Sequence, residues 1–272
     1  MLLYDKNAVI YGAAGSLGTA VAHAFAQQGA RVFVTGYKLQ PAEQTAHEII
    51  AKGGRATALQ VDALNEQEVN DCVNRIVQEG GVDISFNLIQ YHDVQGIPLV
   101  DMKLEDFTRP VLRAAQSHFI TATAAARAMI KKGSGVILSL TATPGGIGYP
   151  LAGGFGPCCT LIENFSMGLA SETGPYGVRS VNIRSAGSPD SRVFLEAVKQ
   201  DPDAAGIFIQ KIEDDTMLKK MPLMKDIAQT AVFLASDMAA GITGVTVDVT
   251  CGTTTALNYK APPVAFVNNI FQ

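Results

Sequence analysis

The sequence predicts an α/β fold, a doubly wound parallel sheet of seven strands with helices on both faces. Three observations predict it. Short runs rich in β-branched residues alternate with stretches of helical periodicity from the first residues onward. The helical stretches close on glycine, at Gly29 and at Gly80-Gly81, the residue that ends a helix most readily. A length of 272 residues with 47 % hydrophobic content suits one α/β domain with a full core, spanning 1–272.

The elements follow in order. Ala8 to Tyr11 reads as the first strand, and Leu17, Ala20, Val21, Ala24 and Phe25 fall at helical spacing behind it. Arg31 to Thr35 and Thr57 to Val61 are the second and third strands. Val69, Cys72, Val73, Ile76 and Val77 mark the next amphipathic helix, followed by a strand from Asp83 to Leu88. Val136 to Leu140, Val178 to Ile183 and Val245 to Val249 complete the set. Strand-helix-strand alternation implies right-handed crossovers and a mostly parallel sheet. Residues 188–223 break the rhythm, with Pro189, Pro202 and Pro222 bracketing short amphipathic pieces. So late an insertion reads as a lid over a ligand crevice, or else as a decoration packed on the sheet edge.

Composition excludes several functions. With 21 basic against 25 acidic residues and no basic block, the chain offers no surface for tracking phosphates, so no nucleic acid is expected. The longest uncharged stretch, Gly133 to Ile162, carries eight Gly and three Pro, which a membrane-spanning helix does not tolerate. The start lacks a basic flank and a cleavage site, so a cytoplasmic protein is expected. Cys72, Cys158, Cys159 and Cys251 lack metal-ligand spacing and read as reduced thiols; no metal is expected.

Gly12-Ala-Ala-Gly15-Ser16-Leu17-Gly18 lies between the first strand and the first helix. That context points to a dinucleotide, because glycines let the backbone crowd a pyrophosphate and the helix offers its free N–H groups. The alternative is a turn that merely packs helix on strand. After the second strand comes Gly36-Tyr37-Lys38, with no acid before Glu43. A carboxylate there would read the ribose 2′-hydroxyl of NAD, whereas a cation suits a 2′-phosphate, so NADP(H) is favoured over NAD(H).

From about Asn7 to Thr253 the chain resembles the short-chain dehydrogenase/reductase superfamily, whose fold is Rossmann-like. Gly12 and Gly18 match its glycine pattern, while Ser16 stands at the middle glycine and Gly15 one place early. The resemblance implies that Asp62 and Ala63 meet the adenine, that Asn87 closes the fourth strand beside the cofactor, and that Ala186-Gly187 replaces a Pro-Gly pair. Ile242-Thr-Gly244 and Val247-Asp-Val match the closing strand.

The family's active site departs more sharply. Its Ser, Tyr, Lys and Asn positions align with Ala142, Phe155, Cys159 and Ala114. No Lys lies between Lys132 and Lys199, and Tyr149 and Tyr176 are the only tyrosines in that interval. In the family the Tyr protonates the carbonyl oxygen as hydride arrives, a contribution of about 10²–10⁴-fold. Cys159 beside Cys158 reads as a small buried apolar residue.

Position near the carboxyl ends of the strands leaves Tyr91, His92, Asp93, Tyr149, Arg184, Asp190 and Arg192 as candidates, with His92 and Tyr149 the possible proton donors. Glu163 is expected to face solvent. The uncharged stretch before Ile162 suggests a wall for a neutral or hydrophobic small molecule. The expected function is an atypical NAD(P)H-dependent oxidoreductase acting on an imine or iminium, enone or ketone. The alternatives are a non-redox isomerase or cyclase, and a catalytically silent cofactor sensor or scaffold. The resemblance also implies a homodimer or homotetramer built on helices 105–131 and 155–173. Within the C-terminal tail 254–272, the apolar residues from Ala261 to Gln272 are expected to dock on a neighbour.

Overall fold

The computed structural model describes residues 1–256. The apolar tail expected to dock on a neighbour, 261–272, lies outside the described residues.

The strands are β1 (Asn7–Tyr11), β2 (Arg31–Gly36), β3 (Arg55–Gln60), β4 (Ile84–Asn87), β5 (Gly135–Ala142), β6 (Val178–Ser185) and β7 (Thr246–Val249). They form one seven-stranded sheet in the order β3-β2-β1-β4-β5-β6-β7. Every pairing is parallel. The chain order reverses between β1 and β4, so the crevice above their carboxyl ends is the place where such sheets bind ligands.

The helices are α1 (Ser16–Gln27), α2 (Leu39–Ala51), α3 (Glu66–Gln78), α4 (Leu104–Lys132), α5 (Phe155–Thr173), α6 (Arg192–Gln200), α7 (Pro202–Asp214) and α8 (Met224–Ala235). Their placement follows from the alternation of side chains along each strand. In β1, Ala8 and Ile10 join Phe25, Val34, Ile227 and Leu234 in one buried cluster. Val9 and Tyr11 join Phe33, Val69, Ile76 and Met129 in a second cluster on the opposite face. Both faces of β1 are therefore covered, as a parallel sheet requires. Asn65 starts α3 by accepting hydrogen bonds from the Gln67 and Glu68 backbone, and Gly133, at φ 78°, ends α4.

The expected strands are all present, with shifted ends. β4 is shorter than expected, while β5 and β6 each run two residues further, to Ala142 and Ser185. Their added residues carry polar side-chain contacts that hydrophobic patterning does not register.

Candidate functional site

The glycine turn is shaped by close backbone crossings. Gly12 has φ +75°, and a Cβ on it would lie 2.6 Å from the Leu88 carbonyl oxygen at the end of β4. A Cβ on Gly18 would lie 2.3 Å from the Gly12 oxygen. Gly15 is freer, its nearest neighbour being the Gly12 oxygen at 3.5 Å. The two glycines that match the expected pattern are thus the two the fold demands. Helix α1 begins at Ser16 with no side chain capping it and no acid in its first turn, so its N–H groups and positive end remain available to an anion.

The other expected cofactor residues collect around the same crevice. Gly36 ends β2, followed by the exposed Tyr37 and by Lys38 at the start of α2; among the described residues Lys38 forms no ion pair. Asp62 accepts a hydrogen bond from the Leu64 backbone at 2.9 Å, beside buried Ala63. Asn87 is buried, donates to Thr121 Oγ1 at 3.1 Å and accepts from the Ile89 backbone at 3.1 Å, which fixes its amide. Leu17 packs on the core, and Ser16 Oγ accepts from the Arg192 backbone N–H at 3.3 Å, bringing α6 onto the turn. Gly187 is needed where it stands, because a Cβ there would meet the Phe194 ring at 2.8 Å. An uncapped helix start, a tight glycine turn and an unpaired lysine fit a dinucleotide phosphate.

The four residues at the family's active-site positions also converge. Ala114 and Cys159 belong to one buried cluster with Tyr91, Cys158 and Ile162, and Ala142 and Phe155 pack against it. Around this apolar cluster the carboxylates of Asp93 and Glu163 lie close enough to act on Cys159. The hydrogen bond with Cys159, and then burial, push the Cys158 thiol up, so it stays protonated. Behind the cluster, the Tyr91 hydroxyl and His118 Nε2 share a hydrogen bond of 2.8 Å. Burial pushes His118 down to about 3 and Tyr91 well above the usual tyrosine range, so both are neutral.

Several positional candidates have other roles. Tyr91 points inward, whereas His92 is exposed at φ 57°, and Asp93 accepts from Gln95 rather than from His92. The three neighbours therefore form no relay. Asp190 uses both carboxylate oxygens to accept from the Met224 backbone at 3.0 and 3.3 Å, which anchors the start of α8. Arg192 is largely exposed and lies 3.7 Å from Glu196.

Glu163 does not face solvent. Its side chain is only 14 % exposed and Arg184's is 15 %. Arg184 grips both carboxylate oxygens, at 3.0 and 2.5 Å, and Thr141 Oγ1 donates to the same group at 2.8 Å. The hydrogen bonds that Arg184 donates to Glu163 raise its guanidinium further above the ordinary range. Asp248 lies 3.5 Å away on the other side. The segment after β5 sits directly on this pair: a Cβ on Gly145 would meet Glu163 Oε1 at 2.4 Å, and one on Gly146 would meet Arg184 Nη1 at 2.6 Å. Arg184 is therefore spoken for as a structural cation.

Above Ala142 and Phe155 lies a cavity of about 440 Å³, roofed by Val193 and Phe194 of α6 and Phe208 of α7. Among the described residues no charged side chain lines it. Tyr149, 41 % exposed, stands in its wall. Among the described residues no group of three or more metal-ligating side chains exists, and no helix is long and apolar enough to cross a membrane.

The sequence model of the family described as enoyl-(acyl carrier protein) reductase matches residues 12–254. The chain belongs to this family of short-chain dehydrogenases/reductases. It is similar to L-rhamnose 1-dehydrogenase (NAD(P)(+)) of Azotobacter vinelandii, 29 % identical over 271 residues, covering 93 % of this chain and 98 % of the relative. It is also similar to 7alpha-hydroxysteroid dehydrogenase of Escherichia coli, at 28 % identity over 263 residues and 94 % and 97 % coverage. Among solved structures, a short-chain type dehydrogenase/reductase from Mycobacterium ulcerans superimposes with a TM-score of 0.86 at 20 % identity, covering 94 % of this chain and 92 % of that one. The fold and an oxidoreductase of this family are thereby shown.

His118, and the pairing of the candidate Arg184 with Glu163, are what the sequence reading missed. His118 lies one turn beyond Ala114 on the buried face of α4, and Glu163 one turn beyond Cys159 on α5. A four-residue step from each replaced position was the available signal.

Proposed function

We propose that this protein is an NADP(H)-dependent oxidoreductase that transfers hydride to a small neutral or cationic acceptor without the family's Tyr/Lys acid. The single observation that carries the reading is the cavity floor. Where the family places its proton donor, Phe155 and Cys159 pack with Ala142 and Ala114 in an apolar cluster beneath a cavity whose described lining carries no charged side chain. Bound NADP(H) would supply the hydride chemistry itself.

The chain's own residues then divide the remaining work. Gly12, Gly15, Ser16, Leu17 and Gly18 present the start of α1 to the pyrophosphate, with Gly187 shaping the opposite wall. Gly36, Tyr37 and Lys38 face the 2′-phosphate, while Asp62, Ala63 and Asn87 border the adenine and its ribose. Helices α6 and α7, within residues 188–223, act as the lid that excludes water. An iminium carbon accepts hydride with no proton from the enzyme, which suits this floor. For an enone or ketone, Tyr149 or a water at the rim is the donor, since of the described hydroxyls in the wall Tyr149's belongs to an exposed residue while Thr143 and Thr253 are buried, and His92 is not among the described lining residues. The exposed apolar side chains Leu112 and Phe119 on α4 and Met167 on α5 favour pairing of these helices in a homodimer or homotetramer. A single monomer peak in light scattering at micromolar concentration refutes that assembly.

Calorimetric titration with NADPH and NADH tests the cofactor reading. Tight NADPH with weak NADH binding supports it. Binding of neither would leave a silent scaffold or a non-redox enzyme as the better account.

A further inference from the structure

Four aromatic residues, Tyr149, Phe155, Phe194 and Phe208, line the cavity of about 440 Å³. Phe194 and Phe208 of α6 and α7 stack with their ring centroids 6.3 Å apart and their planes 19° from parallel. Ring faces carry negative charge and attract a cation, most strongly where water is excluded. The polar atoms of the wall have the same sign. Thr143 Oγ1 donates its proton to the Ser185 carbonyl at 3.4 Å and Thr253 Oγ1 to the Thr250 carbonyl at 2.8 Å, so both hydroxyls have only lone pairs left to offer. Gln95, also in the lining, donates from Nε2 to Asp93 Oδ2 at 2.6 Å, a contact that only the nitrogen of its amide can make. Its Oε1 is left as an acceptor with no partner among the described residues. Asp93 forms no ion pair among the described residues, and its carboxylate lies close enough to act on Tyr91, Cys158 and Cys159 behind the floor. Arg192 and Lys211, next to the lining residues Val193 and Ile212, are paired with Glu196 at 3.7 Å and with Asp215 at 2.7 Å. The site thus combines ring faces, lone pairs and a carboxylate without a countercharge.

We infer that this cavity is an organic-cation site and that the substrate is a protonated imine, its charge held among Tyr149, Phe155, Phe194 and Phe208 and its N–H donated to Gln95 Oε1, with Asp93 behind Gln95 as the fixed countercharge. The identity of the substrate rests on the reading of this cavity as the place of hydride transfer; the binding of a cation does not. Hydride addition to the iminium carbon moves the C=N π pair onto nitrogen as a lone pair. The substrate loses its positive charge as the nicotinamide gains one, and no proton is transferred. A ketone oxygen can only accept, so it meets the Thr143 and Thr253 lone pairs with lone pairs of its own and has Tyr149 as its one described hydroxyl donor.

Binding alone provides the test. Calorimetry on the unaltered protein compares three saturated six-membered rings: piperidinium, a cation with N–H; N,N-dimethylpiperidinium, a cation without it; and tetrahydropyran, which is neutral. Piperidinium is expected to bind about tenfold or more tightly than tetrahydropyran. Gln95→Met, at an exposed position, is expected to weaken piperidinium and leave the dimethyl cation and tetrahydropyran unchanged. Asp93→Asn keeps an acceptor for Gln95 and is expected to weaken both cations while sparing tetrahydropyran. Phe208→Leu, at an exposed position of the lid, should do the same. Thermal unfolding of each variant confirms that it is folded. Equal affinity for piperidinium and tetrahydropyran overturns the inference, as does a preference for piperidinium that survives Gln95→Met and Asp93→Asn combined. Assays of NADPH binding and of turnover with tetrahydropyridinium, the matching cyclic iminium, separate the two readings. Selective piperidinium binding with no hydride transfer removes the hydride reading and sustains the cation site; hydride transfer with no preference for the cation overturns the cation site alone.

Discussion

Gly18→Ala and Gly15→Ala, three positions apart in one turn, should behave in opposite ways. A methyl on Gly18 lies 2.3 Å from the Gly12 oxygen and 2.7 Å from the Ala13 Cα. Both neighbours are backbone, so relief requires the turn itself to move. Overpacking of this kind costs about 1–3 kcal/mol, a fall in Tm of roughly 2–12 °C for a chain of this size. Because the displaced atoms are those that would cradle the pyrophosphate, NADPH affinity should drop at least about tenfold, the equivalent of about 1.4 kcal/mol. A methyl on Gly15 meets only the Gly12 oxygen at 3.5 Å, and its φ of −80° suits alanine. The reduced freedom of the unfolded chain contributes about 0.4–1 kcal/mol, while alanine is poorer than glycine at a helix start by a similar amount. Net stability should therefore change by less than about 0.5 kcal/mol, with NADPH affinity retained. Thermal unfolding and calorimetric titration of both variants read these differences. Equal effects from the two substitutions, or a neutral Gly18→Ala, would refute the argument that backbone crossing shapes this turn.

Three further outcomes follow from the same structure. His118 is held neutral with its pKa lowered to about 3 from an ordinary 6.5; the unfolded chain takes up the proton first, so stability is full above about pH 6.5 and falls as pH drops toward 3. Between pH 7 and 5 the loss should be about 2 kcal/mol, and urea unfolding of His118→Gln should lack this component; an identical pH dependence in both proteins would count against it. Glu163→Leu leaves Arg184 without its main partner and should cost about 3–5 kcal/mol, whereas adding Arg184→Leu should recover much of it; additive losses in denaturant titrations would contradict the pairing. Lys38→Ala should weaken NADPH binding about tenfold and leave NADH unchanged, since only a 2′-phosphate needs the cation; equal losses for both nucleotides would remove the basis for preferring NADP(H).

The sheet was legible because buried parallel strands are continuous apolar runs that glycine and helical periodicity separate cleanly. The glycine turn was legible for the same reason, its position between strand and helix giving meaning to a weak pattern. Orientation of single side chains was less accessible. Glu163 looked like a solvent-facing carboxylate because charged residues seldom face inward unpaired. Its partner Arg184 lies 21 residues away on β6. Ser180, Asn182 and Arg184 alternate along β6, and Ser139 and Thr141 along β5, so a polar row faces α5. That row is visible in the sequence only once the two strands are paired. Tyr91 and His118 are likewise 27 residues apart, and nothing local to either announces the hydrogen bond between them.

The central claim is hydride transfer over a floor that supplies no proton. It is tested most directly by following NADPH oxidation with a preformed iminium and with a ketone of the same carbon skeleton, each across a range of pH. Turnover of the iminium is expected to show no dependence on an ionising enzyme group, and ketone reduction to be slower by about 10²–10⁴-fold, the usual contribution of a positioned general acid. Equal rates for the two acceptors, or a ketone rate governed by a single group that survives Tyr149→Phe, would contradict it.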